Sequence, residues 1–130
     1  MDRDTFIDTV QQRADFSSRE EATDATQAVL TTLGERITEN EAEDLAAQLP
    51  AGLDDQLTEA DSHANQFSFE EFAEKVADRA DADAVADDPR TASQAVSDAV
   101  QEAVGTGEFQ DVISQLPENE EYGGLLSPAE

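Results

Sequence analysis

Apolar residues recur at steps of three and four along most of the chain, the period of a helix with one buried face. Phe6, Ile7 and Val10 mark a first helix from Asp2 to Ala14. Ala25, Val29, Leu33 and Ile37 step by four through a second, opened by a capping box of Ser17 with Glu20 or Ser18 with Glu21. Thr38 with Glu41 opens a third, which carries Leu45 and Leu49 and ends at Pro50, a residue that cannot continue a helix. Leu53 and Leu57 predict one short helical turn docked on the others. From Thr58 to Gln66 there is no large apolar residue, and the stretch predicts a polar seam. Ser68 with Glu71 then starts a helix bearing Phe69, Phe72, Ala73 and Val76, and Asp81 to Asp88 predicts a loop of Asp and Ala. Asp88 followed by Pro89 is a cap residue with proline at the first helical position, ahead of Ala92, Val96, Val100 and Val104. Gly105 to Gly107 stops that helix, and a last one carries Phe109, Val112, Ile113 and Leu116. Tyr122, Leu125 and Leu126 in the tail are expected to dock as Leu53 and Leu57 do. Beta-branched residues fall on the helical ladders, and no stretch alternates with the period of a strand.

The same pattern returns at an offset of 67 residues. Glu41, Asp44, Leu45, Gln48, Leu49 and Pro50 are echoed by Glu108, Asp111, Val112, Gln115, Leu116 and Pro117. The ladder from Ala25 to Ile37 is echoed rung for rung by that from Ala92 to Val104. The expected fold is all-α, with two tandem three-helix modules forming one pseudo-twofold helical bundle. Residues 1–58 make the first module, 59–66 the seam, 67–126 the second module and 127–130 a frayed tail.

Composition tests whether such a chain folds at all. Leu, Ile, Val and Phe make up 26 of 130 residues, and the formal charge is −25, which borders on the disordered class. The repeated ladders and stop signals argue for structure, since a solvated tail has no physical reason to keep them. Asp and Glu number 32, against six Arg and the single Lys75, and 21 Ala stand in for bulkier apolar residues. This is the balance of a halophile's cytoplasmic protein, because molar salt shortens the Debye length to about 3 Å and makes such a surface tolerable. The fold is therefore expected to loosen in dilute buffer. With no Cys, disulfides and thiolate metal sites are excluded. No apolar run approaches a membrane span, and Met-Asp-Arg-Asp at the start carries no apolar signal region.

With both copies in view, Phe6-x-x-x-Val10-x-x-Arg13-Ala14, Ala25-x-x-Ala28-Val29-Leu30-x-x-Leu33-x-x-Arg36-Ile37 and Glu41-Ala42-x-Asp44-Leu45-x-x-Gln48-Leu49-Pro50 resemble a family of small prokaryotic proteins known as domain of unknown function 2267. The likeness spans nearly the whole chain. It implies a helical repeat fold and brings no activity or catalytic residues with it. The second copy departs where Glu102-Ala103-Val104 stands in place of Arg36 and its neighbours, and where Phe109 stands in place of Ala42.

Candidate chemistry is sparse. His63, the sole histidine, lies in the polar seam without a supporting group, and Ser17, Ser18 and Ser68 serve as caps, so no nucleophilic constellation forms. Asp81, Asp83, Asp87 and Asp88 begin like a calcium loop, but Val85, Ala86 and Ala92 occupy the places of a ligand, the turn glycine and the bidentate glutamate. Phe67, Phe69, Phe72 and Phe109 read as core in preference to a ligand pocket between modules. The equivalent places of Arg13 and Arg79, and of Asp44 and Asp111, suggest two readings: each arginine reaches its own module's aspartate and locks first helix to third, or each complements the negative end of its own helix. The expectation is a non-catalytic helical interaction or scaffold protein, with no catalytic residues, cofactor or metal. Its partner is an unknown protein, with a homodimer as one form. The alternative is a nucleic-acid-associated or regulatory helical protein, which the scatter of seven cations disfavours.

Overall fold

The computed structural model describes residues 2–50, 52–58, 63 and 65–114, and every regular element among them is a helix. Local chemistry sets each start. Helix α1 (Arg3–Ala14) begins at Asp2, whose carboxylate accepts the Thr5 N–H at 2.8 Å. That backbone bond and the Thr5 hydroxyl hold the Asp2 carboxyl below its ordinary value. Asp15 closes α1 in the left-handed region at φ 58°, its N–H turned back to the Gln11 and Gln12 carbonyls. Helix α2 (Arg19–Arg36) takes the second of the two predicted boxes: Ser18 Oγ accepts the Glu21 N–H at 3.2 Å, while the Glu21 carboxylate returns to the Ser17 N–H at 2.9 Å. Complete capping boxes open α3 (Glu39–Ala46) at Thr38 and Glu41, and α5 (Phe69–Arg79) at Ser68 and Glu71. Between them α4 (Asp54–Thr58) is the short turn read from Leu53 and Leu57.

The second half differs from expectation at one place. Residues expected to form an Asp and Ala loop contain a short helix, α6 (Asp83–Asp87), with Val85 fully buried. Its start is supported from outside: the Asp24 carboxylate on α2 accepts the Asp81 N–H at 3.1 and 3.0 Å and the Ala82 N–H at 3.0 Å. Helix α6 has no side-chain cap at Ala82; instead the backbone that enters it is anchored by a carboxylate from a distant helix. Helix α7 (Pro89–Val104) then starts at Asp88 with proline in its first turn and stops at Gly105, at φ 95°, and α8 (Thr106–Ser114) follows directly. Gln115-Leu116-Pro117, the tail and most of the seam lie outside the described residues.

Both ladders are buried, from Ala25 to Ile37 on α2 and from Ala92 to Val104 on α7, and the two helices pack on each other. Helix α1 makes its most extensive packing with α7, beyond what it makes with its neighbour α2, and α5 likewise rests on α2 as well as on α7. One continuous core therefore runs through the described residues. Every Val, Leu, Ile and Phe among them is buried except Phe16, which is half-buried against that core.

The end of α2 is the tightest point. Gly34 meets α4 so closely that a Cβ there would lie 2.3 Å from the Leu57 carbonyl oxygen. The last carbonyls of α2 are closed in series: Leu33 accepts the Ile37 N–H at 3.1 Å, Gly34 accepts His63 Nδ1 at 2.8 Å, and Glu35 accepts the Asn65 N–H at 2.9 Å.

Candidate functional site

The echoed motif comes together in space. Helix α3 with its C-terminal turn faces α8 across an open hollow of about 510 Å³, lined by Glu41, Asp44, Leu45, Ala47 and Gln48 on one side and Glu108, Asp111 and Val112 on the other. Glu41 and Glu108, Asp44 and Asp111, and Leu45 and Val112 are each one repeat apart, so equivalent faces of the two copies look at each other. Gln48 Nε2 donates to the Glu108 carboxylate and ties the two sides. Four carboxylates around one hollow favour positive charge there. Among the described residues, however, no three of His, Asp and Glu are grouped to hold a metal ion.

The arginine lock takes other partners than the expected ones. Arg13 does not reach Asp44; it crosses to α7, 3.6 Å from Asp98 and 3.1 Å from Glu102. Arg79 does not reach Asp111; it crosses to α2, donating to Thr32 Oγ1 at 2.8 Å and pairing with Glu35. The reason is the packing of α1 on α7 and of α5 on α2, which carries each arginine away from its own copy's third helix. Glu35 and Glu102 are themselves 67 residues apart, so both arginines bind the same repeat position in the opposite copy. Thr32 is fully buried and its hydroxyl also donates to the Ala28 carbonyl at 2.8 Å, which fixes it as an acceptor for Arg79. Burial pushes the Asp98 carboxyl above its ordinary value; Arg13 opposes the shift and Glu102 adds to it.

Of the other cations Arg3 is exposed, and the rest take partners or lie buried. Arg19 pairs with Asp4, at 3.3 Å, and with Asp8, fastening α2 to α1. Lys75 lies 5.0 Å over the Phe67 ring and Arg90 5.2 Å over that of Phe69, both within cation–π range. Arg36 is buried at the end of α2. Phe67, Phe69 and Phe72 form a tilted cluster, with the Phe72 centroid 6.0 and 6.4 Å from the other two, and Phe109 is fully buried; none of them lines the hollow between α3 and α8 or those beside α2 and Phe16. A second hollow, about 580 Å³, lies along the start of α2 from Ser18 to Gln27 and reaches Asp81 and Ala82, whose amides Asp24 accepts. The third, about 300 Å³, lies beside Phe16 and the start of α7. His63 faces a backbone carbonyl, not a side-chain partner. No helix among the described residues is long and apolar enough to cross a membrane.

Asp24 is the residue that sequence reasoning missed. Nothing near it in the chain marks it as an anchor, because the amides that it receives lie 57 and 58 residues away.

Comparison with curated proteins returns no match. The profile of a family described as "Uncharacterized conserved protein (DUF2267)" matches residues 3–122, nearly the whole chain, in agreement with the motifs read from Phe6 to Pro50. The chain belongs to this family of uncharacterized conserved proteins.

Proposed function

We propose that this chain is a non-catalytic helical interaction module that meets a partner protein through its carboxylates and not through an apolar helix face. The supporting observation is the division of side chains among the described residues: the large apolar ones are buried apart from the half-buried Phe16, the cations other than Arg3 turn to carboxylates, rings or the core, and most acids lie outside. The hollow between α3 and α8, where the echoed acids converge, is the docking face in this reading. Duplication belongs to the same proposal. Two repeats of the sequence pack about a pseudo-twofold, and the crossed pairs Arg13–Glu102 and Arg79–Glu35 support that arrangement. An acid-rich surface of this kind suits a salt-rich cell interior.

Capture of the tagged chain from its own lysate in molar potassium chloride, with and without nuclease, tests the proposal. The expected result is a stoichiometric protein that survives nuclease and is lost from the variant carrying Asp44→Asn and Asp111→Asn. Partners that vanish with nuclease would move the reading to nucleic acid. An empty capture would overturn both.

A further inference from the structure

Each half of the molecule offers the other a surface that a second copy of the chain also offers. The α1–α4 half presents Arg13 and the α2 positions Asp24, Thr32 and Glu35; the α5–α8 half presents Asp98, Glu102, Arg79 and the amides of Asp81 and Ala82. All of these bonds run between halves, none within one. The connection between halves is short where it matters: Asn65 is still bonded to Glu35 on α2, while Phe67 is already buried against Phe72 of the second half. Gln66 stands exposed between them.

We propose that two copies of this chain exchange halves, the α1–α4 half of one docking on the α5–α8 half of the other, with Gln66 as the pivot. Exchange keeps every bond between halves and changes only the path at the pivot, which makes it a low-cost route to a dimer, and a short pivot favours it. Within one chain the halves see each other at an effective concentration of about 1 mM, so the closed monomer prevails in dilute solution and exchange occurs when chains refold together at comparable concentration. This proposal concerns self-association and is independent of the carboxylate docking face.

The test uses two full-length variants, Arg13→Glu and Glu102→Arg, one of them isotopically heavy. They are mixed, unfolded, refolded together at about 1 mM, separated by size and read by native mass spectrometry. In an exchanged heterodimer the introduced glutamate meets the introduced arginine, and the native Arg13 of the other chain meets a native Glu102. In each exchanged homodimer like charges meet at both places. The expected result is a heterodimer enriched at least about fivefold over the homodimers relative to random mixing, the combined scale of two exposed ion pairs. Dimers in random proportion would show association through another surface and would overturn the proposal, as would monomers alone. Heavy and light wild-type chains refolded in parallel must give a mixed dimer; its absence overturns the proposal whether or not the variants fold.

Discussion

Replacing Gly34 by alanine puts a methyl group where α2 touches the backbone of α4. The new Cβ would lie 2.3 Å from the Leu57 carbonyl oxygen, 3.1 Å from its carbon and 3.2 Å from Leu57 Cα. All three are backbone atoms, so no side chain can swing aside. To reach ordinary contact the α4 carbonyl has to retreat by about 1 Å, and it takes with it Leu53 and Leu57, which are 1% and 0% exposed. Overpacking of this kind costs about 3 kcal/mol at the upper end of its usual range. Alanine returns about 1 kcal/mol through its better helix propensity. The expected net loss is about 2 kcal/mol, a fall in Tm of roughly 6–10 °C for a domain of this size. Thermal unfolding followed by far-UV circular dichroism in molar potassium chloride measures it. Gly107→Ala is the control: it also lies in a helix, and its Cβ meets nothing within 4 Å. That change should be neutral or stabilising by up to about 1 kcal/mol. If Gly34→Ala proved as stable as the wild type, the close approach of α2 and α4 would be refuted.

Three further outcomes are expected. Arg79→Met should lower stability by about 1–2 kcal/mol, since it leaves the buried Thr32 hydroxyl and a Glu35 that is 12% exposed without their partner. Arg13→Met, at a pair about half exposed, should lose under about 1 kcal/mol, and urea titration of both variants checks the order. Asp24→Ala should lose about 1 kcal/mol and speed hydrogen exchange at the Asp81 and Ala82 amides before any other; unchanged exchange there would exclude the anchoring by Asp24. For Asp98, burial raises the folded value against the pull of Arg13 and with the help of Glu102, so folding prefers the protonated acid. That contribution is present below the ordinary carboxylate range and is lost as pH rises through the raised folded value. Asp98→Asn should accordingly raise Tm near pH 7 and make no difference below about pH 3.5; a lower Tm near neutral pH would contradict the assigned balance.

What the sequence made legible follows the range of the interaction. Ladders at Ala25 to Ile37 and Ala92 to Val104, and caps at Ser18, Thr38, Ser68 and Asp88, act within a few residues and could be read directly. Helix α6 could not, because it has no side-chain cap of its own and the backbone entering it is held by Asp24 on another helix. The arginines illustrate the same boundary. Their equivalence within the repeat was visible, but their partners depend on which helix α1 and α5 lie against, and periodicity says only which face is buried. The hollow between α3 and α8 was visible only as an echo in the chain; that the echoed acids face one another is a product of packing.

The crossing of α1 onto α7 also bears on the order in which the molecule can form. A helix that docks chiefly on its sequence neighbour can settle as soon as that neighbour exists, whereas contacts distant in sequence slow folding. Helix α1 ends at Ala14 and its principal partner is complete only at Val104. At translation rates of about 5–20 residues per second, α1 waits roughly 5–20 s on the ribosome with Phe6, Ile7 and Val10 facing only the partial cover of α2. For that interval its apolar face is open to chaperones and to neighbouring nascent chains, while Asp4 and Asp8 on the same helix carry negative charge that repels the latter.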